Sequence, residues 1–441
     1  MLNTNKKKVA LTAVFAASLI ISITMMHGNT KAEPEEMYEK LKVFSDVLSI
    51  VQKNYVEETK PEDLIYGAIN GMLRTLDPHS SFMRPDLYKE LQVETKGSFG
   101  GIGIEITIRQ GILTIVSPIE DTPAFKAGLK SGDKIIKIEE ESTENMTLLD
   151  AVKRMRGPAG EKVTISIMRK GFTEPKDFIL TREIIRIKSV KYKLLENNTI
   201  GYIRLSQFQE KTGEEFNKAL DTLEQNDNPL IGLVLDLRNN PGGLLDQAVK
   251  VCDVFIDKGL IVYTQGRIEG QQMRFTAHPN IKPHDYPIIV LVNGGSASGS
   301  EIVAGALQDH NRAVILGTTT FGKGSVQTII PLDDGAGLRL TTARYYTPSG
   351  KTIQAKGIIP DVIVKENFFH MDEDKKKIKF IKEKDLDGHF EPEGETEGIT
   401  ITEEEEEEEE KDTQLDRATQ LIKSWHIFKE FESKNQQAVA P

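Results

Sequence analysis

The chain has 441 residues, too many for one compact core, so two or three domains are expected. Its formal charge is −11, but residues 403–410 are eight consecutive glutamates, and without them the balance is −3, which points to no particular charged partner and offers nothing basic enough for nucleic acid. The single cysteine, Cys252, excludes an internal disulfide; set in the apolar stretch 251–256, it reads as a small buried hydrophobe.

Residues 1–8 carry three lysines, and residues 9–26 are uncharged and mostly apolar. This is the pattern of a secretory leader, with Thr30-Lys31-Ala32 as an A-x-A-like cleavage site. Eighteen uncharged, mostly apolar residues are also close to a membrane span, so residues 1–32 are a signal peptide or a retained N-terminal anchor. Either places the remainder outside the cytoplasm, in a periplasm or at a cell surface. Residues 33–96 read as helical. Leu41, Phe44, Leu48, Val51 and Tyr55 recur at spacings of three and four, a seam that suits the chain's own core or a second subunit equally. A second helix begins at Pro61, where a first-turn proline is tolerated. Leu64, Ile65, Ala68, Met72 and Leu76 are expected to face inward, and Asp77-Pro78-His79-Ser80 ends it.

Residues 97–187 read as a small β-rich module. Gly101-Ile102-Gly103-Ile104 is followed by Asp121-Thr122-Pro123-Ala124, by Ala127-Gly128-Leu129 and by Gly132-Asp133 leading into the apolar 134–138 stretch. A helix over 148–155 and a closing strand over 163–168 complete it. These pieces in this order resemble a PDZ domain. The resemblance makes Gly101, Ile102, Gly103 and Ile104 the peptide-binding loop and implies that the backbone N–H groups of Ile102, Gly103 and Ile104 hold a peptide's terminal carboxylate, while the peptide adds as a strand opposite the 148–155 helix. The alternative is a structural module that binds no peptide.

From 188 to about 366 strands and helices alternate: a strand over 200–205, a helix over 214–224, buried strands over 230–237 and 287–293, and helices after Gly242-Gly243 and from Ser298. Strands that read as continuous apolar runs, alternating with helices, predict a largely parallel α/β layer. Sites in such sheets lie beyond the carboxyl ends of strands, where both Gly242-Gly243 and Ser298 fall. Residues 367–412, charged and ending in the glutamate run, read as a mobile linker. Residues 413–441 then form a helix. Its apolar face of Leu415, Ala418, Leu421, Ile422, Trp425, Phe428 and Phe431 is expected to dock on the protein or a partner.

A serine at a glycine-flanked strand-to-helix turn, a lysine in Phe321-Gly322-Lys323-Gly324 and a glycine pair after a buried strand are the parts of a Ser/Lys hydrolase. By residue type Ser296, Ser298 and Ser300 all qualify. Ser298 with Glu301 also fits a helix capping box, a purely structural role. The N–H groups of Gly299 and Gly243 are candidate oxyanion donors, with Gly242 as the alternative to Gly243. A free lysine has a pKa near 10.4. Burial without a carboxylate partner lowers it, and no acidic residue lies near Lys323 in sequence. A surface or phosphate-binding lysine is the alternative, but the spacing is not that of a P-loop. A histidine base is a further alternative. His310 follows Ser298 by twelve residues, about 18 Å along a helix, and His278 and His284 lie in a polar loop. No metal-ligand spacing or dinucleotide fingerprint appears, so neither metal nor cofactor is implied.

From about Tyr38 onward the chain resembles the carboxyl-terminal processing, or tail-specific, proteases, on the Asp77–Ser80 stop, the PDZ-like pieces and the Ser298 and Lys323 motifs. The resemblance implies an α+β multidomain fold, with a β-rich PDZ domain, an α/β crotonase-like (ClpP-like) protease core and helical terminal segments. It assigns Ser298 as nucleophile, Lys323, 25 residues later, as base, and Gln327, four further on, as the residue that orients the lysine. The implied activity is that of a serine endopeptidase working through an acyl-enzyme on proteins with exposed C-terminal tails. Homo-oligomerisation through the terminal helices and an adaptor are compatible with this reading. A non-proteolytic PDZ scaffold and a crotonase-like acyl-transfer enzyme are the rival functions.

Overall fold

The structure, a computed structural model, describes residues 34–279, 284–365, 382–390 and 412–439. The leader or anchor at 1–32 and most of the acidic linker, including its glutamate run, lie outside these residues. Among the described residues no helix is long and apolar enough to cross a membrane.

The two expected N-terminal helices run over Pro34–Asn54 and Pro61–Arg74. On the first, Leu41, Phe44 and Tyr55 are exposed, while Leu48 and Val51 are half-buried. Near the end of the second, the expected inward residues Met72 and Leu76 are exposed and Leu73 is buried instead. Leu73 lies one turn before Asp77, which is buried as well.

The β-rich module is organised around strands Ile104–Arg109, Ile112–Pro118, Lys134–Ile138, Lys162–Met168 and Lys176–Thr181, in that spatial order. Its core packs Ile115, Ile135, Ile138, Val163, Ile165 and Ile167 against Ala151 and Met155 of the Leu148–Met155 helix. The sequence carries the module to residue 187 with 163–168 as its closing strand, but the structure does not close there. Two more strands follow, and the second, Glu183–Arg186, pairs antiparallel with Ser98–Gly101. Both ends of the module are thereby tied together. The Ile104–Arg109 strand is left at the edge of its sheet.

The α/β core contains a six-stranded sheet, ordered Val190–Leu195, Ile200–Leu205, Gly232–Asp236, Ile288–Val292, Val314–Gly317 and Val362–Ile363. Only the first pair is antiparallel. Alternate residues of each strand face opposite sides, and both sides are buried. Leu233, Leu235, Val290, Val292 and Ile315 pack against the helices Thr212–Glu224, Leu245–Asp253 and Gly299–Asp309. Val234, Ile289, Leu291 and Leu316 face the other way and are covered by Ala418 and Ile422 of the terminal helix, Thr413–Val439. Full burial of a side chain such as Ile422 contributes roughly 1.5–3 kcal/mol. The helix start is also clamped, since Arg238 donates to Asp412 and to the buried Asp236 at 2.7 Å each. The docking expected of this helix is therefore correct for its first turns only. Trp425, Phe428 and Phe431 are 60%, 67% and 54% exposed, and the buried cluster under the helix reaches only to Ile422.

A separate antiparallel sheet was not anticipated. The ten-residue strand Gly337–Tyr346 pairs with Ser81–Met83, Leu260–Gly266 and Ser325–Pro331. The loop that holds Lys323 leads directly into the last of these.

Candidate active site

Ser298 caps the Gly299–Asp309 helix with φ 52° and ψ −110°, a left-handed backbone that is strained for any residue but glycine. Such strain is tolerated where the surroundings overdetermine it. The Ser298 N–H donates to Glu301 Oε2 at 2.8 Å, and the Ser298 carbonyl accepts from Glu301 and Ile302. The Glu301 half of the capping box is thus present. The Glu301 N–H goes to the Ser298 backbone carbonyl, and the Tyr345 hydroxyl lies near enough to the Ser298 side chain to feel it electrostatically. Burial pushes that phenol up to about 12, so it stays protonated at neutral pH.

The other two serines have structural employment. Ser296 Oγ donates to the Leu237 carbonyl at 2.8 Å and accepts from the Asn293 N–H, while Ser300 Oγ donates to the Asn240 carbonyl at 2.9 Å. Both join the serine turn to the chain that leaves the Gly232–Asp236 strand. That chain carries the glycine pair. The Gly242 N–H is taken by Asn240 Oδ1 at 2.9 Å, which leaves the Gly243 N–H as the available donor of the two. Gly242 and Gly243 have φ of 101° and 140°. A Cβ on Gly242 would come within 2.8 Å of Ser298 Cβ, and one on Gly243 within 2.2 Å of the Phe208 carbonyl oxygen. Only glycines let this segment lie so close to the serine. Gly299 is the first helical residue, so its N–H has no intrahelical acceptor.

Glu301 joins the serine to the lysine. Its carboxylate is fully buried and accepts four hydrogen bonds. Oε2 takes the N–H groups of Ser298 and Lys323 (2.8 and 2.9 Å), and Oε1 takes Thr320 Oγ1 and the Gly322 N–H (2.5 and 2.8 Å). Burial pushes its pKa up to about 7 against four donors that favour the anion. Sequence reasoning saw only the capping role, because the residues that Glu301 binds, 320–323, lie beyond the end of its helix. Glu301→Gln is expected to orphan one backbone N–H, since an amide can offer only one acceptor oxygen where two are needed. The stability loss should be about 1–3 kcal/mol. The kcat loss should be at least about 100-fold, the scale of an ångström-sized misplacement. Denaturant unfolding and steady-state kinetics on the same preparation check both figures.

Burial holds the Lys323 amine below the usual lysine range. Glu383 and then Glu301 and Asp77 act in the opposite direction, and Arg339 acts with burial. The expectation of a lysine without acidic neighbours needs correcting here. None is near in sequence, but the fold brings three carboxylates within electrostatic reach, and desolvation still outweighs them. Gln327 donates through Nε2 to Ser325 Oγ at 2.9 Å and to Thr341 Oγ1 at 3.4 Å. It therefore lines the lysine strand without bonding the amine in this conformation. The Asp77–Ser80 stop is more than a terminator. Asp77 accepts from the His79 and Ser80 N–H groups, which closes the turn, and also from Thr341 Oγ1 at 3.1 Å. Thr341 is thereby shared by Asp77 and Gln327. The remaining sequence candidates are occupied elsewhere. His310 bonds the Leu260 carbonyl, His278 bonds Asp253 and His284 bonds Glu224. Cys252 is fully buried and burial pushes its thiol up, as suits an inert packing residue.

In the β-rich module, Gly101, Ile102, Gly103 and Ile104 line a groove of 60 Å³ with Phe99, Ile106 and the helix residues Val152 and Met155. Gly103 has φ 77°, and a Cβ there would meet Thr122 at 2.3 Å, so the loop conformation requires glycine.

Comparison with known proteins matches residues 199–364 to peptidase family S41, residues 90–168 to the PDZ domain and residues 10–86 to the N-terminal domain of the activating protease CtpB. A carboxy-terminal-processing protease of Bartonella bacilliformis is 46% identical over 415 residues, 93% of this chain and 95% of the relative. The carboxyl-terminal-processing protease of Synechocystis sp. is 38% identical, over 80% of this chain and 87% of its own. The carboxy-terminal processing protease CtpA of Bacillus subtilis is 37% identical, over 80% and 75%. Among solved structures, a photosystem II D1 C-terminal processing protease aligns with 73% of this chain and 92% of its own at 31% identity, with a TM-score of 0.43.

Proposed function

The chain belongs to the carboxy-terminal-processing serine proteases, with a PDZ domain beside the peptidase core, and from that premise we propose that Ser298 and Lys323 form its catalytic dyad. Ser298 Oγ attacks the scissile carbonyl while its proton passes to the neutral Lys323 amine. The negative charge that develops on the carbonyl oxygen is met by the N–H groups of Gly243 and Gly299 at the positive end of the Gly299–Asp309 helix. The tetrahedral adduct collapses, the C–N bond breaks, and the Lys323 ammonium returns its proton to the leaving amine. Water, deprotonated by the same amine, then hydrolyses the acyl-enzyme ester and regenerates the Ser298 hydroxyl.

The observation that carries this reading is the shared Glu301 oxygen, which bonds the backbone N–H of both Ser298 and Lys323 and so ties the nucleophile to a desolvated amine. Gln327 holds the strand that follows the lysine. A crotonase-like acyl-transfer enzyme would share the oxyanion donors but has no use for an amine base joined to the serine. Cleavage of casein or a tail peptide by the wild type and not by Ser298→Ala separates the readings.

We place the enzyme outside the cytoplasm, on the basic and apolar pattern of residues 1–32. Cell fractionation tests this. We further assign substrate-tail recognition to the Gly101–Ile104 loop, with the edge strand Ile104–Arg109 open for strand addition. A peptide with an apolar residue and a free carboxylate at its C-terminus is expected to bind the full-length Ser298→Ala protein about 10–100-fold more tightly than its C-terminal amide, the worth of a charge-assisted hydrogen bond. Equal affinities by calorimetry would remove the assignment.

A further inference from the structure

Residues 382–390 follow the core in sequence, yet they return to the lysine loop. Glu383, in a short turn over Glu383–Asp385, has a fully buried side chain that the dyad mechanism does not use. Its carboxylate is engaged by His79 Nε2, 2.8 Å from both oxygens, and by Gln354 Nε2, which donates to Oε1 at 2.9 Å. The Glu383 N–H donates to the carbonyl of Phe321, two residues before Lys323. Gln354 in turn accepts from the N–H of Gly324, the residue after Lys323, at 3.1 Å. Glu383 therefore grips the lysine loop from both sides. Its partner His79 is held by Asp77, which accepts the His79 N–H at 2.8 Å.

Burying a carboxylate costs several kcal/mol unless it is paired. Such a group, set against the one loop that holds the base, has a stated use if the base must become positive during the reaction. We propose that Glu383 is a positioning residue for the Lys323 amine, delivered by the 382–390 segment acting as a strap, and that its charge stabilises the ammonium formed when Ser298 gives up its proton. This rests on the Ser298/Lys323 reading. The charged groups that act on Lys323 are Glu383, first among those favouring its protonated form, then Glu301 and Asp77, with Arg339 opposing them. His79 and Lys323 are the groups that act on Glu383. The role has a cost in the resting enzyme, since the same anion opposes the neutral amine. Burial retains the upper hand, and Glu383 restores part of the proton affinity that the transition state needs.

The test is kcat/KM against pH on the full chain with a fluorogenic peptide. Glu383→Gln keeps the size and removes the charge. The acidic limb, which reports the lysine of the free enzyme, is expected to move to lower pH by about one unit, and the plateau kcat to fall at least about tenfold. Glu383→Asp keeps a carboxylate one methylene further away and should move the limb in the same direction by less. A structural residue would lower kcat and leave the limb in place, so an unmoved limb in a folded variant overturns the proposal. If thermal melting shows that Glu383→Gln does not fold, Glu383→Asp carries the same test. Lys323→Arg is measured alongside. If it is active, the dyad reading fails. If it is inactive and the Glu383 variants leave the limb unmoved, only the role of Glu383 fails.

Discussion

Ser298→Ala is expected to abolish proteolysis and leave the fold intact. Loss of a nucleophilic serine costs about 10⁶-fold in kcat in a serine protease, and what remains comes from binding and the oxyanion donors. The fold should tolerate the change, because the bonds that hold the turn, from the Ser298 N–H to Glu301 Oε2 and from the Glu301 and Ile302 N–H groups to the Ser298 carbonyl, do not involve the hydroxyl. The strained φ is the same for alanine as for serine. Ser296→Ala is the informative control. It removes the bonds to the Leu237 carbonyl and the Asn293 N–H inside a fully buried turn, so it should lower stability by about 1–3 kcal/mol while the folded fraction keeps its turnover. The opposite result, an active Ser298→Ala with an inactive and well-folded Ser296→Ala, would move the nucleophile two residues along the turn.

Lys323→Ala should be nearly as damaging, and Lys323→Arg no better. Arginine keeps the positive charge and much of the volume, but it is never deprotonated in a protein and cannot accept the serine proton. The pH dependence carries the sign. The base works only when neutral, so activity rises with pH until the amine has lost its proton. Burial sets that point below the ordinary lysine range, and the limb should lie correspondingly lower than for a solvated lysine. Substantial turnover in Lys323→Arg would make the lysine structural. It would turn attention to His79, whose ring already meets a buried carboxylate beside the same loop.

The parts of the site that could be read from sequence are those made of adjacent residues. The glycine-flanked Ser298, the Gly242-Gly243 pair and Lys323 between two glycines carry their chemistry in their immediate neighbours. What could not be read is which of three serines is free, because Ser296 and Ser300 are occupied by the carbonyls of Leu237 and Asn240, about 60 residues upstream. Nor could the acidic setting of the lysine be read, since its carboxylates come from 77, 301 and 383. Gln327 entered through resemblance, and its bonds to Ser325 and Thr341 give it a place beside the lysine strand without a contact to the amine.

By itself, the sequence determined the parallel layer and the helices that cover it, but not the antiparallel sheet. Apolar runs over 230–237 and 287–293, short and alternating with helical segments, read as strands buried on both faces, and the terminal stripe containing Ala418 and Ile422 reads as a helix seeking a cover. Period and hydrophobicity are local properties, so they survive without knowledge of the fold. Which face that helix covers, where its docking stops short of Trp425, and which residues meet at the lysine were decided by tertiary structure alone. The reason is that a buried polar group must be satisfied by whichever donor or acceptor the chain brings to it. For Glu301 and Glu383 those partners are set by the path of the chain through two sheets, to which no local pattern of residues refers.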